Sequence, residues 1–178
     1  LGAYEMGSTF KTFTVANALE AGVTTLTNGF DATNPIHVAG FTISDSHPKA
    51  RWLSTAEIYA YSSNIGTVKM AMAQGTEAQQ AMLRKLGMLE PVSIELPERG
   101  SPLYPRNWGQ VSTMTVAFGH GISVSPLHVV QGIASIINGG TKAHLTLLKD
   151  GNAKKDTGER IISEETSGKM RDLMRLVV

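Results

Sequence analysis

Between Ser8 and Gly22 the apolar side chains do not keep to one face of a helix. In "GSTFKTFTVANALEAG" (residues 7–22), Phe10, Phe13, Val15, Ala16 and Leu19 cover most of the circumference, between a Gly-Ser start and a glycine stop. A helix that is apolar on several sides has to be packed on several sides. The chain is therefore expected to assemble its other elements around this one. Its 178 residues, 42% of them hydrophobic and 17% charged, suffice for one buried core and carry too little charge for a disordered chain. Into this apolar setting the sequence places Lys11, one turn after Ser8.

The remaining signals are mostly helical. Residues 23–53 read as loop with a short strand in "IHVAGFTIS" (36–44). Ser54-x-x-Glu57 is a capping-box pattern opening a helix to about Tyr61, another helix follows Asn64 and ends at Gly75, and Thr76-x-x-Gln79 offers a second box for a helix ending at Gly87. The proline- and glycine-rich residues 88–112 read as a long irregular connection. Ser125-Pro126 caps a helix that Gly139-Gly140 stops, and "AHLTLLKDGNA" (143–153) looks like a strand ending in a turn. Ser163, followed by Glu164 and Glu165, caps a last helix with Met170, Leu173, Met174 and Val177 on one face.

Several function classes are disfavoured. A formal net charge of +1 leaves no electrostatic footprint for nucleic acid or an anionic membrane surface. No window approaches the ~20 apolar residues of a membrane span. With no cysteine, thiol chemistry and Cys-type zinc sites are excluded, and His37, His47, His120, His128 and His144 show no metal-ligand spacing, so neither metal nor cofactor is expected. "FGHGIS" (118–123) lacks the length and the Lys-Ser/Thr of a phosphate loop. The methionines sit at core spacing, and Trp52 and Trp108 could either anchor loops or line a groove.

Ser8 and Lys11 carry chemistry if they face each other. A serine is a weak nucleophile until a base takes its proton. Residues three apart on a helix share a face, and burial among apolar groups lowers the pKa of an amine, so a neutral Lys11 could be that base. The plainer explanation is a helix cap followed by a solvated lysine. A second element, Ser62-Ser63-Asn64, lies between two helices, where Asn64 could also serve simply as an N-cap. Ser-x-x-Lys together with a Ser-x-Asn element is part of the signature of serine enzymes that acylate on β-lactams.

Three blocks, "EMGSTFKTFTVANALE", "RWLSTAEIYAYSSNIGTVKMA" and "FGHGISVSPLHVVQGIASIINGG", resemble in order the transpeptidase domain of class B penicillin-binding proteins, most of all the septal, cell-division type. Met6 stands where that family commonly has proline. The resemblance implies an α+β fold of the β-lactamase and penicillin-binding-protein type, in which a five-stranded antiparallel sheet packs on a helical lobe. It implies Ser8 as the acylated nucleophile, Lys11 as proton acceptor and Ser62 as proton relay to the leaving group. Asn64 would hydrogen-bond the substrate amide and Lys11, and Thr9 would lie near an oxyanion hole that includes the Ser8 N–H. The "FGHGIS" turn would line the floor of the site. Substrates would be peptidoglycan stem peptides ending in D-Ala-D-Ala, with β-lactam antibiotics as mimics. The setting would be the periplasmic domain of an inner-membrane-anchored protein that meets cell-division membrane proteins.

The family's third element, Lys-Thr-Gly, does not occur in this sequence, and "KKDTGER" has one residue too many between Lys155 and Thr157-Gly158. Residues 1–178 are accordingly expected to be a partial transpeptidase domain, stopping short of the Lys-Thr-Gly strand, rich in helix, poor in strand and inactive alone. Two alternatives remain open at this point: a β-lactamase or D,D-carboxypeptidase of the same superfamily, and a non-catalytic cell-division module.

Overall fold

Helix α1, Lys11–Glu20, runs through the middle of the protein, with nine of its ten residues buried. The computed structural model describes residues 2–149 and 158–177. Around α1 pack α2 (Thr55–Ala60), α3 (Asn64–Gln74), α4 (Thr76–Lys85), α5 (Gln110–Ala117), α6 (Pro126–Ile137) and α7 (Glu164–Arg175). Among the described residues, strands are short and paired only in twos. Strand β1 (Gly29–Asp31) runs antiparallel to β4 (Trp52–Ser54), and β2 (Ile36–Val38) to β3 (Phe41–Ile43). The fold is α+β and mainly helical, as the resemblance implied.

The core forms on α1 because its apolar side chains point outward in every direction. Phe10 and Phe13 meet edge to face at 5.1 Å, and Leu53, Ile58, Met70, Met88, Ile136, Ile162 and Met170 close around them. The polar residues of α1 are buried too and are satisfied by its neighbours. Thr14 donates to the carbonyl of Ala117, Asn17 donates to the Gln74 side chain, which donates in turn to the Thr14 carbonyl, and Thr12 shares a hydrogen bond with the Tyr59 hydroxyl. No buried side-chain nitrogen or oxygen lacks a partner among the described residues. At its far end Glu20 accepts from the backbone and hydroxyl of Ser163, which joins the end of α1 to the start of α7.

Caps and stops follow the sequence in most places. Ser54 and Glu57 make the reciprocal capping box of α2, and Ser163 caps α7. Four local readings change. The cap of α3 is Ser63, whose hydroxyl accepts from the Gly66 N–H, and Asn64 is the first helical residue. Thr76 lies inside α4 behind Gly75 and makes no cap; it pairs with Thr113, while Gln79 is buried against Thr113 and Trp108. The weak alternation at residues 36–44 is a complete hairpin, β2–β3. Residues 143–149 form no strand: Ala143 exchanges hydrogen bonds with Gln131 and Ser135, and Glu95 takes the Thr146 hydroxyl and the Leu147 N–H. Backbone groups there go to side chains, and no neighbouring strand stands beside them among the described residues. Lys155-Asp156-Thr157 lies outside the described residues.

Two irregular stretches are anchored on helices. His128, buried in α6, accepts from the Ser125 N–H at Nδ1, and its Nε2 donates to the Glu90 carbonyl, tying the 86–109 connection down. Residues 118–124 double back onto the segment before α1. Tyr4 and Val124 exchange backbone hydrogen bonds, the Gly121 N–H donates to Glu5, and Gly119 packs on the backbone of Gly7. A Cβ at position 119 would lie 2.1 Å from the Gly7 carbonyl oxygen, at a φ of +85° that disfavours any side chain. Gly119→Ala is expected to lose at least about 2 kcal/mol in urea unfolding, by combined clash and strain. A stability equal to the parent's would show that the 118–121 turn is not held against Gly7.

Candidate active site

Gly7–Phe10 forms a single 3-10 turn leading into α1, with Gly7 at φ +52°. In a 3-10 turn side chains three apart eclipse, which puts Ser8 and Lys11 on one side of the turn, where both line the same cavities. Ser8 and Thr9 are exposed, and Lys11 has 2% of its surface accessible. Burial pushes the Lys11 ammonium down to about 8, and the Asp45 carboxylate acts in the opposite direction.

Lys11 reaches out of the core to a single residue. Its Nζ donates to the Ser62 carbonyl oxygen at 2.5 Å and lies 2.8 Å from the Ser62 hydroxyl. Ser62 can offer both because of how α2 ends. The Ser62 N–H donates to the Tyr59 carbonyl and the Ser63 N–H to Ile58, which is a Schellman closure with Ser62 at the left-handed position, φ +54°. Helices α1 and α4 close the same way at Gly22 (φ +67°) and Gly87 (φ +76°). Glycine meets this requirement without strain, whereas a side chain there costs about 1 kcal/mol or more. The hydroxyl of Ser62 is thus kept at a position where the fold alone would favour glycine.

Ser8, Lys11 and Ser62 all line two adjoining cavities. One, about 320 Å³, is apolar on its far side, with Ile133, Met174 and Val177. The other, about 380 Å³, is polar and includes His47, Asn64 and His120. An exposed hydroxyl next to a depressed amine that is bonded to a second hydroxyl is an arrangement that can support covalent acyl chemistry. Among the described residues no cluster of His, Asp and Glu could hold a metal ion, and no helix is long and apolar enough to cross a membrane.

The chain matches the family described as penicillin binding protein transpeptidase domain over residues 2–178. It belongs to that family. A probable peptidoglycan D,D-transpeptidase FtsI from Caulobacter vibrioides is 40% identical over 172 residues, covering 97% of this chain and 29% of the relative. Penicillin-binding protein PbpB of Mycolicibacterium smegmatis is 30% identical over 98% of this chain and 29% of its own length. The transpeptidase domain of Burkholderia pseudomallei penicillin-binding protein 3, solved without ligand, superposes with a TM-score of 0.92 at 28% identity, over 99% of this chain and 54% of that one. The chain spans about three tenths of the length of the curated relatives it matches.

Within this transpeptidase domain the sequence-predicted residues are distributed as follows. Lys11 and Ser62 are in direct contact, and Ser8 shares both cavities with them. Thr9 lines the apolar cavity. Asn64 lines the polar cavity but makes no hydrogen bond to Lys11; its amide donates to the Ser44 carbonyl instead. Sequence reasoning missed Asp45, a buried carboxylate from the loop after β3. It accepts from the Ser63 hydroxyl and the Ile65 N–H, and so binds the start of α3 while setting its charge near Lys11. Its one local signal was an aspartate in an Asp-Ser-His-Pro turn, which reads equally well as surface loop. Also missed was Glu5, which accepts from Gly121 and His120.

Ser62→Gly and Ser62→Ala both remove the hydroxyl and differ only in backbone freedom. The glycine variant is expected to be more stable than the alanine variant by about 1 kcal/mol in urea unfolding. Equal stability would mean that position 62 relaxes out of the left-handed region once the hydroxyl is gone.

Proposed function

We propose that this chain provides the catalytic centre of a peptidoglycan D,D-transpeptidase of the septal, cell-division type, working through an acyl-enzyme on Ser8. The observation that supports it most is the Lys11 amine: buried, depressed to about 8 and bonded to Ser62 beside an exposed Ser8. In its neutral form Lys11 takes the Ser8 proton as the hydroxyl attacks the carbonyl between the two terminal D-alanines. Ser62 passes that proton to the departing D-alanine nitrogen, the C–N bond breaks, and the peptide is left as an ester on Ser8. The N–H of Ser8, at the opening of the helix, contributes to holding the oxyanion. An amine of a neighbouring stem peptide then takes the acyl group. Thr9 and Asn64 border the substrate, with the Asn64 amide oxygen as its remaining acceptor. β-Lactams acylate Ser8 in the same way. Related proteins named as peptidoglycan D,D-transpeptidases, including the FtsI-type relative, support this assignment. The expected setting is the periplasmic side of the inner membrane, among division proteins.

Fluorescent penicillin is expected to label the full-length gene product, and Ser8→Ala to abolish labelling. An unlabelled parent would overturn the proposal. The 178-residue chain alone, which has no Lys-Thr-Gly to meet the substrate carboxylate, is expected to label far more slowly.

The acylation rate is expected to rise with pH through a single limb near 8. Lys11 is mostly ammonium below that value and becomes the competent base above it. Because Asp45 favours the charged form, Asp45→Asn should move the limb to lower pH. Stopped-flow acylation between pH 6 and 10 reads both. A limb that stays in place in Asp45→Asn would separate Asp45 from the titration of Lys11.

A further inference from the structure

The acyl-enzyme mechanism needs proton transfer twice, and the Lys11–Ser62 pair accounts naturally for the first. In the second half the incoming group is an amine, which arrives as an ammonium and cannot attack until it loses a proton. The polar cavity beside Ser8 holds a group suited to that step. His120 lies on its wall with Ser8, Lys11 and Phe118. Its Nδ1 is 3.0 Å from a carboxylate oxygen of Glu5, and the other oxygen of that carboxylate accepts from the Gly121 N–H at 2.8 Å. A carboxylate accepting at Nδ1 fixes the Nδ1–H tautomer and leaves Nε2 as the basic nitrogen. No hydrogen bond occupies that Nε2 among the described residues.

One ring contact and two backbone contacts hold His120 in place. Phe118 meets it edge to face at 5.2 Å, the His120 N–H donates to the Thr115 carbonyl, and Gly119 is packed on Gly7. Glu5 sits three residues before the nucleophile, so the same short segment that presents Ser8 also fixes the ring across the cavity. The charged and titratable groups around this cavity are Glu5 behind the ring, Lys11, His47 and Tyr61. Lys11 bonds both oxygen atoms of Ser62 and serves Ser8 from the core side.

We propose that His120, oriented by Glu5, is the base that deprotonates the acceptor amine in the second half-reaction. This rests on the transpeptidase reading above. His120 Nε2 takes one proton from the acceptor ammonium. The freed lone pair attacks the acyl carbon, the new C–N bond forms, and the bond from that carbon to Ser8 Oγ breaks. Ser8 Oγ regains a proton from the attacking nitrogen by way of Lys11, one hydrogen stays on the new amide, and the imidazolium returns its proton to solvent. Glu5 is a positioning residue, and the polar cavity is the acceptor's approach.

The test uses the full-length gene product with a thioester donor and a D-amino acid acceptor, reading aminolysis against hydrolysis of the acyl-enzyme, with penicillin labelling measured in parallel. His120→Gln and Glu5→Gln are expected to lower aminolysis by about tenfold or more, and penicillin acylation by less than about twofold. Added imidazole should restore aminolysis in His120→Ala. His37→Gln, at an exposed imidazole of the β2–β3 hairpin that lines neither cavity, should leave the partition unchanged. Equal losses of acylation and aminolysis in His120→Gln would reduce the pair to a loop tether and overturn the proposal, as would unchanged aminolysis. A wild type that fails to label with penicillin would instead overturn the transpeptidase reading itself.

Discussion

A lysine amine inside a helix core opposes folding unless something outside the core receives it. For Lys11 that something is Ser62, and much of the structure follows from making the contact possible. The folded pKa of about 8 lies below the usual value for lysine, so it is the charged form that burial penalises. The penalty is of the order of 3 kcal/mol, complete below pH 8 and absent above about 10.5, where the amine is neutral folded or unfolded. At neutral pH the protein therefore carries a standing cost at this position. The same cost is what brings the amine within reach of deprotonation.

Backbone devices elsewhere serve that one contact. Helix α2 stops with a serine where its Schellman closure suits glycine, and so turns both oxygen atoms of Ser62 toward Lys11. Ser63 then caps α3, and Asp45 holds Ser63 and the first turn of that helix in place. On the other side Gly119 closes on Gly7 so tightly that a methyl group would not fit, which fixes the turn from which Ser8 emerges. Site geometry is set by three loop closures against one rigid buried helix. That is why α1 is buried all round: a helix packed on every side is a fixed reference for the groups at its start.

What could be read in the sequence was what local chemistry determines. Helix stops at Gly22, Gly75 and Gly87, the Ser54–Glu57 box and the Ser125-Pro126 start depend on neighbours a few residues away. So does the three-residue spacing that puts Ser8 and Lys11 on the same cavities. The helix-rich, strand-poor character followed from the three family-like blocks. What could not be read depends on partners far along the chain. Asn64 is displaced from the cap by Ser63 because Asp45, eighteen residues earlier, supports the serine. Residues 143–149 have strand-like composition, yet a strand exists only where another lies beside it, and here side chains of α6 and Glu95 take the backbone groups. Glu5 was missed, and His120 was read only as part of a tight turn, because the two stand 115 positions apart and no local pattern joins them.

The two cavities around Ser8 explain why one lysine need not do everything. A transferase with a single approach would have to release its leaving group along the path its acceptor uses, and water would compete for the same space. Here Ser8, Lys11 and Ser62 stand where an apolar cavity and a polar one meet, so the two half-reactions proposed for this site would be served from different sides. An amine in water competes with a solvent at about 55 M, and hydrolysis is avoided only if the amine is bound and deprotonated where water is not activated as well. Lys11 is poorly placed to discriminate, being buried and engaged with Ser62. A carboxylate-oriented imidazole on the polar wall can favour an amine, because an ammonium gives up its proton to it far more readily than water does. In the proposed mechanism the division of labour follows from burial: the group inside the core would serve the nucleophile, and the group at the cavity rim the arriving substrate.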